Sequence, residues 1–249
     1  MIHVKTPSEI ARMRVPCRLT AQLREAVAER IRPGVSTLEL DEFAAAWIAE
    51  RGVKSAFLGY AGYPANICIS LNDVVVHGIP SRHEIINNGD IVSIDLGVVA
   101  DGFVGDSAKT VIVGEVCERT RELCRTTEAA LMAGIAAAKD GGRLGDVSHA
   151  VQTVAEAGGF GVVRDYCGHG IGRKMHEDPQ ILNYGKAGKG PVLKSGMVLA
   201  IEPMINTGDW RVDVMDDGWT VRTRDRLPSA HYEHTVLVTP SGGEILTVP

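Results

Sequence analysis

Four acidic residues are the first candidates for chemistry, because two of them sit where an isolated charge is costly. Asp95 follows the apolar run Ile91-Val92-Ser93-Ile94, and Glu202 follows Val198-Leu199-Ala200-Ile201. A carboxylate left alone on a buried strand costs several kcal/mol or takes up a proton. One such acid reads simply as a turn residue at a strand end. Two of them fall at equivalent places in an internal repeat, which turn chemistry does not explain. Gly89–Asp95 matches Gly196–Glu202 at an offset of 107, and Ala49-Glu50-Arg51-Gly52 matches Ala155-Glu156-Ala157-Gly158 at 106. Further on, Lys109–Val113 resembles His234–Val238 at an offset of 125. Asp106 and Glu233 then precede equivalent later strands, and a pseudo-two-fold fold brings all four carboxylates to one centre.

Four carboxylates at short range repel one another strongly inside a protein unless something compensates them. Two divalent cations would balance them and leave room for a bridging hydroxide, as in two-metal hydrolases with ions about 3.5–4 Å apart. Three histidines lie in suitable settings. His169 sits between glycines in Cys167-Gly168-His169-Gly170-Ile171-Gly172, His77 in Val76-His77-Gly78-Ile79-Pro80, and His176 in Met175-His176-Glu177-Asp178-Pro179. Oxygen-rich ligation with one or two imidazoles suits manganese, iron(II) or cobalt better than a closed thiolate zinc site. His3, His83 and His149 have no such context and read as ordinary histidines. There is no dinucleotide fingerprint, phosphate-binding P-loop, HExxH or GxSxG elbow. Arg222-Thr223-Arg224-Asp225-Arg226 reads as a solvated strand and turn.

The elements that must position these residues come as two helices followed by strands, twice over. Thr6-Pro7-Ser8-Glu9 is a capping box, after which Leu19, Leu23, Val27 and Ile31 mark one helical face up to Arg32-Pro33-Gly34. Pro16 should kink or divide that helix. Further helices are predicted over 37–51, 119–139 and 144–157, with strands at 67–69, 91–99, 111–113, 198–201 and 235–238. This order predicts an α+β architecture, a mostly antiparallel sheet covered by two pairs of helices.

The chain has 249 residues, 45% hydrophobic and 23% charged, with a net charge of -5, which excludes disordered, collagen-like and coiled-coil classes. Mild acidity gives no electrostatic footprint for DNA or an anionic membrane. No apolar run resembles a signal peptide or a membrane span. The five cysteines form no CxxC pair and read as reduced thiols of a cytoplasmic protein.

The ordered set VVVHGIP, SIDLGVVADGFVGDSAKT, YCGHGIG, HEDPQIL, IEPM and YEHT resembles the bacterial type I methionine aminopeptidases. The resemblance runs from KTPSEIARMR to GGEIL and looks like the short form, with no zinc-finger or linker extension ahead of it. It implies the pita-bread fold, a single catalytic domain over 1–249 with pseudo-symmetric halves of about 1–115 and 116–249. By the same resemblance, Asp95, Asp106, His169, Glu202 and Glu233 ligate two divalent ions, with Asp106 and Glu233 bridging. Glu202 also handles the proton of the bridging water, His176 stabilises the tetrahedral intermediate, and His77 contacts substrate near the scissile amide. Phe57, Tyr60, Tyr63, Cys68, Met175 and Trp219 line the methionine pocket. Carbonyls of Asn72 and Val74 and the region of Ser229 form a monovalent-cation site for sodium or potassium. The implied activity is removal of N-terminal methionine from nascent proteins whose second residue is small, by a monomer in transient association with the ribosome.

Three positions depart from that pattern. Met175 stands where phenylalanine is common, His231 where glutamine is usual, and Pro16 in a helix usually free of proline. Two other readings compete. A prolyl aminopeptidase or creatinase-like hydrolase usually carries a large extra N-terminal domain. A non-catalytic binding module should have lost ligands and gained basic surface.

Overall fold

The computed structural model describes residues 2–249. Helix α1 (Pro7–Ala28) opens with the Thr6 hydroxyl accepting from Glu9 N–H at 3.3 Å, while Glu9 Oε2 accepts from Thr6 N–H at 3.0 Å. The helix ends at Ala28 rather than near Arg32, leaving Ile31 outside it, and Pro16 does not divide it. Proline offers no N–H to the preceding turn. Packing holds this stretch instead: a Cβ on Gly105 would lie 2.7 Å from Cys17 N and Cα, so strand backbone presses directly on the helix. Thr20 Oγ1 donates to Gly105 O at 3.1 Å beside it.

Helix α2 (Thr37–Glu50) carries a second capping box, Ser36 with Glu39, and stops before Gly52 at φ +64°. Helices α3 (Glu118–Ala137) and α4 (Leu144–Ala157) form the other pair. Leu23, Val27, Leu40 and Trp47 of the first pair pack on Ile69, Ile94 and Leu96. Leu131, Ile135 and Val147 of the second pack on Leu199, Ile201 and Val236. Each such side chain contributes about 1.5–3 kcal/mol when fully buried, so these faces fix the helices on the strands. Among the described residues no helix is long and apolar enough to cross a membrane.

Every ladder between named strands is antiparallel, divided over four sheets rather than gathered in one. The main device of the first half is a hairpin of Ile91–Ala100 and Phe103–Ile112, closed by Asp101 and Gly102 at φ +51° and +71°. An Asp-Gly pair with both φ positive matches the twist of antiparallel strands. Asp95 therefore lies mid-strand, within the strand predicted over 91–99 and not at the end of its apolar run, and Asp106 lies inside a long strand rather than before one. Asp95 pairs with Ala108 and Asp106 with Gly97, which puts the two acids on one face as diagonal neighbours. In the second half, Val198–Ile201 lies between Gly168–Gly170 and His234–Thr239, with His169 opposite Ala200 and His234 opposite Ile201. Glu202 directly follows one strand and Glu233 directly precedes another.

Hydrogen bonds join the two halves at the acids themselves. Glu233 N–H donates to Ala108 O at 2.9 Å, and Ser107 Oγ donates to Glu233 O at 2.7 Å. Asp106 N–H donates to Thr235 Oγ1 at 3.1 Å, and that hydroxyl donates back to Asp106 O at 2.8 Å.

Candidate metal centre

These strands carry Asp95, Asp106, His169, Glu202 and Glu233 to the wall of one cavity of about 270 Å³. His77 and His176 line the same cavity, as do Phe57, Tyr60, Tyr63, Cys68, Met175 and Trp219. Asn72, Val74 and Ser229 do not; Ser229 N–H donates to Asn72 O at 2.8 Å outside it. Four lining residues escaped sequence reasoning: Val76, Tyr166, Cys167 and Met204. Each lies within or beside a quoted motif, but nothing in the sequence separates such neighbours from core.

His169 Nε2 lies 3.4 Å from Glu202 Oε1 and 3.9 Å from Asp106 Oδ2. One donor atom each from Asp106, His169 and Glu233 fall within 4.8 Å of one another. His169 Nδ1 is 3.0 Å from Gly170 O, a contact that requires the proton on Nδ1 and leaves the Nε2 lone pair facing carboxylates. The flanking glycines permit this closeness. A Cβ on Gly168 or Gly170 would lie within 2.3 Å of a neighbouring carbonyl oxygen, of Ala200 or Asp178.

Burial pushes the Asp95 carboxyl up to about 7 and that of Glu202 up to about 8. Burial, and then the neighbouring carboxylates, hold Asp106 and Glu233 well above their ordinary values. Burial also drives His169 down to about 3 and His77 to about 4, so neither ring supplies a countercharge near neutrality. The field of Arg24, whose guanidinium donates to Ser107 Oγ at 2.6 Å, opposes the shift at Glu233 only in part. Asp95 Oδ1, Asp106 Oδ1 and Glu233 Oε1 are buried without a hydrogen-bond partner. Buried oxygens are ordinarily paired, at about 90% or more. Three orphaned carboxylate oxygens on residues that share one cavity wall with the His169 imidazole fit divalent cations, whose charge the protein itself does not replace.

Rings complete the cavity. Tyr60 Oη is 2.6 Å from His176 Nδ1, and the His176 ring lies 4.2 Å edge-on from that of His169. Trp219 packs edge-on to Tyr63 at 5.1 Å and to His77 at 6.2 Å, while Tyr166 meets His77 at 5.4 Å. His77 adopts φ +61°, a costly conformation for a residue with a Cβ, which aims its ring into the cavity wall. A second, open groove of about 720 Å³ shares Cys167, His169 and His176 with the cavity and continues past His3, Lys5, Arg173 and Lys174.

A fold of two helix-capped antiparallel halves around a carboxylate and histidine centre defines a class of metal-dependent hydrolase. Residues 11–240 match the metallopeptidase family M24, and the chain belongs to that family. It is 48% identical to a methionine aminopeptidase of Clostridium perfringens over 248 residues, covering 100% of this chain and 99% of the relative. It is 50% identical to one of Salmonella typhimurium over 248 residues, covering 99% and 94%. The crystal structure of a methionine aminopeptidase from Thermotoga maritima superposes with a TM-score of 0.98 at 49% identity, covering 100% of both chains.

Proposed function

We propose that the protein is a dinuclear metal-dependent aminopeptidase that removes N-terminal methionine when the second residue is small. The observation that carries this reading is the set of orphaned carboxylates at the wall of a cavity otherwise lined by aromatic rings and sulfur. A flexible thioether packs well against such surfaces. Asp95, Asp106, His169, Glu202 and Glu233 would hold two divalent ions, manganese, iron(II) or cobalt, supplying an acidified water and a Lewis acid for the scissile carbonyl.

The chain's own residues divide the remaining work. Glu202, at the junction with His169, takes the proton from the attacking water and passes it to the leaving amine. Tyr60 donates its hydroxyl proton to His176 Nδ1, which fixes the tautomer with Nε2–H free to donate to the developing oxyanion. His77, held neutral, donates near the scissile amide from its place beside Trp219 and Tyr166. Phe57, Tyr63, Cys68, Met175 and Trp219 enclose the first side chain, and the rest of the peptide leaves along the groove past Lys5 and Arg173. The carbonyls of Asn72 and Val74, with the region of Ser229, would hold a monovalent cation. We read residues 1–249 as one catalytic domain of two halves. Action on nascent chains in the cytoplasm, contact with the ribosome and a monomeric state rest on the resemblance.

Peptides that differ only in their first residue test this reading. With manganese present, Met-Gly-Gly should release methionine, while Leu-Gly-Gly and Phe-Gly-Gly should release their first residue at least about tenfold more slowly, as expected for misfit in an apolar pocket. Equal release from all three would remove the methionine pocket from the account.

A further inference from the structure

His231 is 1% exposed, lies behind the cavity rather than on its wall, and has no role in the mechanism above. Its ring nitrogen Nε2 is buried with no hydrogen-bond partner and lies 3.5 Å from Glu202 Oε2. The opposite oxygen of that carboxylate, Oε1, is the one 3.4 Å from His169. Glu202 is thus flanked by two imidazoles, one on each oxygen.

The backbone of His231 cannot shift to relieve its ring. Its N–H donates to Thr110 Oγ1 at 3.0 Å, and its carbonyl accepts from the same hydroxyl at 2.9 Å. Thr110 Oγ1 is in turn 2.8 Å from Ser93 Oγ, on the strand that carries Asp95. Ser229–His231 also pairs with Met204–Asn206, with His231 opposite Met204, two residues beyond Glu202. With its backbone held, the buried ring carries Nε2 toward Glu202. If Nε2 carried a lone pair, that lone pair would face the carboxylate oxygen, and the buried nitrogen would stay unsatisfied. With the proton on Nε2 the contact becomes donor to acceptor, and a small rotation of the carboxylate brings it to hydrogen-bond length.

We infer that His231 is a positioning residue that donates Nε2–H to Glu202 Oε2 and holds Oε1 of that carboxylate toward His169. The inference rests on the metallopeptidase reading, since it concerns the direction of one of the proposed ligands. An amide N–H placed here could donate to the same oxygen, whereas an apolar side chain could not. Hydrogen-bond partners of this kind typically change metal affinity by about 10–100-fold when removed.

Cobalt(II) is the probe. The metal-stripped full-length protein is titrated calorimetrically with cobalt(II), and the visible absorption of the bound ion is recorded for wild type, His231→Gln, His231→Leu and His231→Phe. Circular dichroism identifies the variants that fold, and the phenylalanine variant preserves ring volume without a donor. The leucine and phenylalanine variants should bind cobalt(II) about 10–100-fold more weakly with an altered absorption band, and the glutamine variant should stay within about threefold of wild type. Wild-type affinity and spectrum in a folded leucine or phenylalanine variant would overturn the inference and leave the metallopeptidase reading intact. A glutamine variant as impaired as leucine would also overturn it, by showing that the ring does something an amide donor cannot. A wild-type protein that binds no cobalt(II) would overturn both.

Discussion

Stripping the metal ions should make stability fall steeply as pH rises above neutrality. Without countercharge, burial holds Asp95 at about 7, Glu202 at about 8, and Asp106 and Glu233 well above their ordinary values. In the unfolded chain all four ionise near pH 4. A carboxyl with a raised folded pKa keeps its proton only in the native state. The native state then binds more protons than the unfolded one, and stability falls by about 1.4 kcal/mol per pH unit for each proton retained. The buried histidines act in the other direction, and only in acid. His169 is lowered to about 3 and His77 and His234 to about 4, so they cost stability as pH falls below the unfolded value of about 6.5 and are silent above it. Between pH 6.5 and 8 at least about two of the four carboxyl protons are retained, which gives a slope of about 3 kcal/mol per pH unit or steeper. For a chain of this size each kcal/mol moves Tm by about 2–4 °C, so Tm should fall by roughly 6–12 °C per pH unit. Calorimetric melts of EDTA-treated and manganese-loaded protein across this window provide the assay. The loaded protein should vary far less, because its ligands are ionised in both states. A metal-free Tm that stays level or rises would refute the claim that these carboxylates lack a countercharge of their own.

Three further outcomes follow from particular contacts. Glu202→Gln should lower kcat by about 10²–10⁴-fold through loss of proton transfer, with an unchanged circular dichroism spectrum. Trp219→Ala should raise KM more than it lowers kcat in steady-state assays, because the ring encloses the first side chain alongside Tyr63 and itself transfers no proton. Gly105→Ala should destabilise by about 1–3 kcal/mol in urea unfolding, because its Cβ would meet the Cys17 backbone at 2.7 Å.

What the sequence revealed of this molecule was mostly local or repeated. The capping box at Thr6 and Glu9 and the glycine stop at Gly52 set helix boundaries through short-range hydrogen bonding, so they were readable without tertiary knowledge. The four acids stood out because a duplication placed the same chemistry twice. Their position along the strands did not. Asp95 reads as the end of an apolar run even though a strand is predicted through it, and Asp106 reads as preceding a strand, yet the Asp101-Gly102 turn lets the hairpin run straight through both. Pro16 leaves its helix undivided for a related reason, since that turn packs against Gly105, a residue remote in sequence. The seam that assembles the centre was hidden entirely. Thr110 and Thr235 look like ordinary strand threonines, and only the fold shows them bonding across the two halves. Tyr166 and Met204 likewise declare themselves only once His77 and Glu202 have been brought to one wall.

The central claim is tested most directly by assaying EDTA-stripped protein on Met-Gly-Gly and Met-Leu-Gly, with and without manganese restored. Neither peptide should release methionine before metal is added, and afterwards Met-Gly-Gly should release it rapidly with little from Met-Leu-Gly. Release by the stripped protein at the restored rate, or none from folded protein after manganese, iron(II) or cobalt is supplied, would contradict it.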